Sequence, residues 1–231
     1  MAGDQPRGHG AASTPRTERS GRTRRRLRVE ERRDELLEAA LQLFCDRAPE
    51  DISIDDVASA ADASRALVYH YFGGKHELYI AALKRAAKQL SELLEMPIEG
   101  DSLERLRISL GRYFDFVEDH AAGFTALLRG GPADRSGDAG EIIDGVRNLI
   151  LNRILAVLGM DTPGPVLRIT LRAWVALVET AGLDWLERKD LPRAQLEQLL
   201  IEQYVVLLRV AGRHDPHAAT LLNQVASEDL D

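Results

Sequence analysis

The apolar positions of this chain recur with a helical period almost from end to end. Leu37, Ala40, Leu41 and Phe44 stand at i, i+3, i+4 and i+7, which predicts a first helix from about Glu30 to Arg47, stopped by Pro49. Two short helices follow. Ser53 and Asp56 have the spacing of a capping box and open the second, through about Ala60, while Ser64 is a good N-cap for the third, through about Tyr71. Only Ala61, Asp62 and Ala63 join them, the geometry of a helix-turn-helix whose second helix can enter a major groove. Gly73 and Gly74 end that helix, and Lys75 begins a long fourth one that reaches Glu95 before Pro97 stops it.

The second half repeats this grammar with longer helices. Asp101 and Glu104 can cap a fifth, striped by Leu103, Leu106, Leu110, Phe114 and Val117. A short sixth holds Phe124, Leu127 and Leu128 and ends at Gly130, Gly131 and Pro132, with a flexible loop expected as far as Gly140. Ile142, Val146, Leu149, Ile150 and Val157 give a seventh, closed by Gly159. Pro165 and Pro192 suit the first turns of an eighth and a ninth, which run to about Arg188 and Ala211. Asp215 can cap a short terminal helix that begins at Pro216. No strand pattern competes, and no internal repeat is visible. The expected fold is all-α, about nine or ten helices: a helix-turn-helix domain over 29–78 and a larger helical domain over 79–231.

Composition leaves this picture in place and excludes alternatives. Over 231 residues, 45% are hydrophobic and 29% charged, near the globular average. The longest apolar run, Ala173 to Val178, is far short of the roughly 20 residues that span a bilayer, so no membrane role is expected. The N-terminus lacks the apolar stretch of a secretory signal, and the single cysteine, Cys45, precludes an intrachain disulfide; a cytoplasmic protein is expected.

Charge adds a partner. Eight arginines against Asp4 and Glu18 give residues 1–28 a net charge of +6, and the remainder of the chain is then −13 within the total of −7. No large apolar residue lies between Met1 and Leu27, so this arm is expected to be mobile, a disordered basic extension on an acidic body. Such an arm suits a polyanion, nucleic acid first. Residues 29–78 hold twelve acids and five Arg or Lys, a poor balance for approaching DNA, so Arg24, Arg25 and Arg26 and their neighbours are expected to supply affinity by neutralising phosphates or entering a minor groove. The plainer reading is a solvated extension.

The stretch ISIDDVASAADASRALVYHYFGGKHELY, residues 52 to 79, resembles the DNA-binding signature of the TetR family of one-component bacterial regulators. The resemblance rests on Ser53, Val57, Ala58, Ala61, Ser64, Tyr69, Tyr71, Phe72, Lys75 and Leu78 in fixed register, with AALQLF of residues 39 to 44 before them. It covers about residues 32 to 80. Ala48, Asp62 and Ala66 stand where the family has glycine; Asp tolerates a left-handed turn, and Ala66 is small enough for close approach to a duplex. The residues themselves agree with this role. Arg65, in the first turn of the third helix, can pair with guanine or phosphate; Tyr69 and His70 lie on the next turn. Lys75 at a helix start, and Ser53 at another, can hold phosphates. Phe72, Val57, Ala58, Leu67 and Leu78 read as core.

The resemblance implies a ligand-responsive regulator, most often a repressor, acting on a double-stranded DNA operator as a homodimer paired through the eighth and ninth helices. The ninth helix agrees: Leu196, Leu199, Leu200, Tyr204, Leu207 and Leu208 lie along one side and Ile201, Val205 and Val206 widen the band, so it wants cover on two sides. The resemblance also implies a small-molecule effector pocket among the fourth to eighth helices. Candidate liners are Tyr113, Phe114, Phe116, Phe124 and Trp174, with Arg172, Glu179 and Thr180 as polar handles. Glu179 directly follows an apolar run and needs a partner; a pocket role, an intersubunit ion pair and a solvent-facing position are all open. An enzyme is the rival reading, but no P-loop, dinucleotide fingerprint, HExxH or GxSxG occurs, and no cofactor is expected. His214, Asp215 and His217 hint at a metal, yet a helix cap explains them more simply. A nonspecific architectural DNA binder is a second rival, favoured by the basic arm but not by the large apolar second domain.

Overall fold

The computed structural model describes residues 17–129, 137–160 and 162–228, with side chains placed for 29–128, 137–160 and 162–223. Among them are ten α-helices and no strand: α1 Thr17–Asp46, α2 Ile54–Ala60, α3 Arg65–Phe72, α4 Lys75–Glu95, α5 Ser102–Asp119, α6 Ala121–Arg129, α7 Asp138–Val157, α8 Pro165–Arg188, α9 Arg193–Ala211 and α10 Pro216–Glu228. A single 3-10 turn, Pro49–Asp51, links α1 to α2.

Most boundaries fall where the local chemistry puts them. Gly73, at φ +83°, ends α3, and α4 then runs unbroken to Glu95, one residue before Met96 and Pro97. Asp101 accepts a hydrogen bond from the Glu104 amide at 2.7 Å, capping α5. Pro165 opens α8 as its first residue, whereas Pro192 is the N-cap of α9 and not part of its first turn. The exception is α1, which begins at Thr17 and not near Glu30. Its N-terminal half carries no apolar stripe, so periodicity is silent there. Arginine is nonetheless a good helix former, and no proline occurs between Pro15 and Pro49. Arg24, Arg25 and Arg26 therefore lie along a helical backbone. Residues 1–16 of the expected basic arm, and 130–136 of the expected loop, lie outside the described residues.

The buried apolar side chains form two clusters. The smaller joins Leu36, Leu37, Ala40 and Phe44 of α1, Ile52, Ile54, Val57 and Ala58 around α2, Val68 and Phe72 of α3, and Leu78 and Ala82 of α4. The larger runs from Leu90 and Leu94 of α4 through α5, α7, α8, α9 and α10, with Phe114, Leu167, Leu171, Leu200 and Leu208 fully buried. Helix α4 thus belongs to both. Helix α6 also spans the two parts: Gly123 sits so close to α1 that an added Cβ would lie 2.9 Å from the Phe44 carbonyl oxygen. Among the described residues no helix is long and apolar enough to cross a membrane.

Candidate functional site

The helix-turn-helix is held by its own sequence. Ser53 and Asp56 form the complete capping box: the Asp56 amide donates to Ser53 Oγ at 3.1 Å, and the Ser53 amide donates to Asp56 Oδ2 at 2.8 Å. The Ser53 hydroxyl and amide hold the Asp56 carboxyl below the usual carboxylate range. Ser64 Oγ likewise accepts from the Leu67 amide at 3.2 Å and starts α3. Between them Asp62 takes φ +47°, the left-handed conformation that glycine adopts most easily and aspartate tolerates. Arg32 of α1 donates to the Asp62 carbonyl at 2.7 Å and Arg33 stacks on the Phe72 ring at 5.1 Å, so the first helix grips the motif at its turn and at the end of α3.

With Val68 and Phe72 buried, α3 turns its other face outward: Ser64, Arg65, Ala66, Tyr69 and His70 are all exposed. They form one ridge with no cover. The guanidinium of Arg65 does not hang free on it. Its Nη1 lies 2.7 Å from Asp55 Oδ2 of α2, its Nη2 lies 3.4 Å from the Tyr69 hydroxyl, and its carbon stands 5.5 Å from the Tyr69 ring centre. Lys75, the first residue of α4, donates from Nζ to the Glu50 carbonyl at 3.0 Å and fastens α4 to the turn before α2.

A cavity of about 50 Å³ lies in the larger part, between α4, α5, α7 and α8. Its walls are aliphatic, with Trp174, Tyr113, Ser109, Arg153 and Glu179 among them. The Tyr113 hydroxyl is buried without a hydrogen-bond partner, and burial together with the nearby Glu179 charge pushes its pKa far up. Glu179, 13% exposed, meets Arg147 of α7 side-on: Nε is 3.0 Å from Oε1 and Nη2 is 2.8 Å from Oε2. Glu179 therefore lines the cavity and is paired within its own chain, an arrangement not among the three positions left open for it.

Comparison with known proteins decides what this arrangement is. The family pattern described as bacterial regulatory proteins, tetR family, matches residues 36–82, and the one described as tetracyclin repressor-like, C-terminal domain, matches 103–207. The HTH-type transcriptional regulator Rv1255c of Mycobacterium tuberculosis is 32% identical over 188 residues, 78% of this chain and 86% of that protein. This chain belongs to the TetR family. A solved tetR-family transcriptional regulator from Streptomyces coelicolor is 42% identical, with a TM-score of 0.82 over 86% of this chain and 90% of that one. The HTH-type transcriptional activator FasR of Mycolicibacterium smegmatis is 33% identical over 105 residues, a match that takes in about half of that relative's length, 48%. The family and the fold are those of DNA-binding transcriptional regulators, not of enzymes.

Within the TetR frame, the residues expected on the DNA face lie on α3 and its N-cap and at the starts of α2 and α4, except Arg24, Arg25 and Arg26, which fall on the N-terminal half of α1. The expected pocket residues divide. Tyr113, Trp174 and Glu179 line the cavity. Phe114 does not: it is fully buried against Tyr113 and Trp185, with ring centres 5.5 and 5.9 Å away. Phe124 packs edge-on behind Tyr113 at 6.4 Å, and Phe116 stacks on His120. Arg172 is exposed on α8 and lines a separate small hollow with Arg147 and Asn148 rather than the cavity, because it stands to one side of the inward row Leu171, Trp174 and Val178. Thr180 is exposed and bonds the Ala176 carbonyl within its own helix. Besides the aliphatic liners, two polar residues of the cavity wall, Ser109 and Arg153, were not anticipated, nor was Arg147, the partner of Glu179 behind it. An arginine one turn beyond an apolar stripe reads as a surface charge, and a contact between residues 147 and 179 leaves no periodic trace. Asp215 caps α10, accepting from the His217 amide at 2.9 Å. Among the described residues no group of three or more His, Cys, Asp and Glu side chains is placed to hold a metal.

Proposed function

We propose that this TetR-family regulator acts in the cytoplasm as a homodimer, binding an operator through the α3 ridge and leaving it when a small molecule enters the cavity among α4, α5, α7 and α8. The observation that carries the DNA reading is the exposed, rigidly based row Ser64, Arg65, Ala66, Tyr69 and His70. Ala66 lets the helix approach the base edges, Arg65 offers a bidentate partner for guanine, and Ser53 and Lys75 face phosphates from two helix starts. Arginines 24 to 26 on the extension of α1 add sequence-independent affinity that offsets the acidic body. The domain boundary falls near the start of α4, after residue 78.

The dimer reading rests on α8 and α9. Leu199, Val206 and Val210 are exposed along one side of α9, and Ile169 begins an exposed row on α8 that continues through Ala173, Ala176 and Thr180. Two such faces from two copies make a four-helix contact and set two recognition helices for half-sites roughly 34 to 36 Å apart. Selection of bound sequences from a random DNA pool is expected to return a palindrome. Val206→Glu is expected to convert the protein to monomers in sedimentation and to weaken binding to that palindrome by at least tenfold, on the scale of losing one of two half-sites. A pool that returns no preferred sequence removes the regulator reading. A monomeric parent protein removes the dimer.

A further inference from the structure

Beside the aliphatic cavity lies a second hollow of about 80 Å³, lined by Ile98, Arg105, Arg153, Ala156 and Val157. The two share Arg153 and Val157 as walls. Arg105 and Arg153 both have a buried Nε without a hydrogen-bond partner. Arg105 is fixed in place by donating from Nη2 to the Val157 carbonyl at 3.1 Å. Among the described residues neither makes an ion pair, whereas Arg147 is matched by Glu179 and Asp144, and Arg193 by Asp115, Glu118 and Glu197. Two cations without carboxylate partners, each with a buried unpaired donor, therefore stand at this second hollow, and one of them, Arg153, also lines the apolar chamber.

We propose that the cavity takes an amphipathic anion, with its apolar body among Trp174, Leu110 and Ile154 and its carboxylate or phosphate head on Arg105 and Arg153. Charge decides the orientation. The only other unpaired donor lining the chamber among the described residues, the Tyr113 hydroxyl, stands near the Glu179 carboxylate, whose charge Arg147 already offsets, so that end offers an anionic head no net positive charge. Charge-assisted bonds to two guanidinium groups are among the strongest available to a buried anion. The inference rests on the cavity being the effector site, and it adds the chemical class of the effector.

Calorimetry on the full chain with octanoate, octyl phosphate, 1-octanol and inorganic phosphate tests it. At least one of the two anionic amphiphiles is expected to bind about tenfold or more tightly than octanol, the scale of one charge-assisted bond, and more tightly than inorganic phosphate. Which of the two binds better assigns the head. Arg153→Gln is expected to abolish the advantage over octanol while leaving octanol affinity in place, which shows that the cavity is intact; Arg153→Lys is expected to retain most of it. Octanol matching both anions, inorganic phosphate matching octyl phosphate, an Arg153→Gln protein that keeps the advantage, or no binding by any probe overturns the proposal. None of these outcomes involves DNA, so they are separable from a failure to select an operator.

Discussion

At the scale of single residues, the pairing of Arg65 with Asp55 bears most directly on the proposed DNA contact. An arginine held between a carboxylate and a tyrosine presents its guanidinium in one orientation, which favours base edges over loosely placed phosphates. Asp55→Asn is expected to raise affinity for random DNA more than for the operator, lowering the ratio of the two in fluorescence anisotropy. Thermal stability should barely move, since both side chains are more than half exposed and such pairs contribute about 0–1 kcal/mol. An unchanged ratio would show that Asp55 does not orient Arg65. A second residue yields a simpler prediction. Burial, aided by Asp46, pushes the Cys45 thiol up to about 11. Its thiolate is scarce at neutral pH, so labelling by a thiol reagent at pH 8 is expected to be slow in the native protein and fast in denaturant.

At the scale of helices, a charged clasp ties α5 to the end of α8 and the start of α9. Glu118 accepts from Lys189 Nζ and from Arg193 Nη1, each at 2.9 Å, and Lys189 also sits 3.4 Å above the Trp185 ring. The Lys189 bond, then Arg193, holds the Glu118 carboxyl below its ordinary value of 4.5. A lowered folded pKa means that the stabilisation is complete above 4.5 and is lost as pH falls through the folded value. Melting curves of the parent and Glu118→Gln are therefore expected to differ at pH 7 and to converge in acid. A constant gap would mean that the clasp contributes nothing through its charge.

The same scale shows what the residues reveal in advance and what they conceal. Helices α2, α3 and α4 were legible to within a residue, because each end is written in local chemistry: Ser53 with Asp56, Ser64, the Gly73–Gly74 pair and the proline beyond Glu95. The left-handed turn at Asp62 was legible through the resemblance, which puts glycine at that position. The start of α1 was not, since a run of arginines has helix propensity without amphipathic period. The cavity was half legible. Apolar stripes place Tyr113 and Trp174 inward, but whether an inward aromatic lines a void or fills one, as Phe114 does, depends on volumes set by several helices together. Ion pairs such as Arg147 with Glu179 join residues 32 apart and are visible only after folding.

At the scale of the whole molecule, the arrangement turns on α4. Its 21 residues carry Leu78 and Ala82 into the smaller core and Leu90 and Leu94 into the larger, with no glycine or proline between. One continuous rod shared by two cores couples their unfolding. Calorimetric melting of the parent is expected to show a single transition. Replacing Ala86 and Ala87 by glycine costs about 1 kcal/mol per site and softens the rod where it passes between the cores. The double variant is expected to melt in two steps, the smaller part first. One step in both proteins would show that the link through α1 and α6, where Gly123 abuts Phe44, suffices by itself.

A stiff helix of this length also has a simple mechanical consequence. From Leu90 to Lys75 the rise is about 22 Å at 1.5 Å per residue, so a tilt of about 5° at the cavity displaces the start of α4 by about 2 Å. Lys75 follows α3 after only Gly73 and Gly74, so the recognition ridge is carried with it. Two copies swinging in opposite senses would change their separation by about 4 Å, several times the roughly 0.5 Å over which a hydrogen bond to a base stays well formed. In the proposed dimer, a guest molecule that tilts α4 by that much at the chamber would throw both ridges out of step with the double helix.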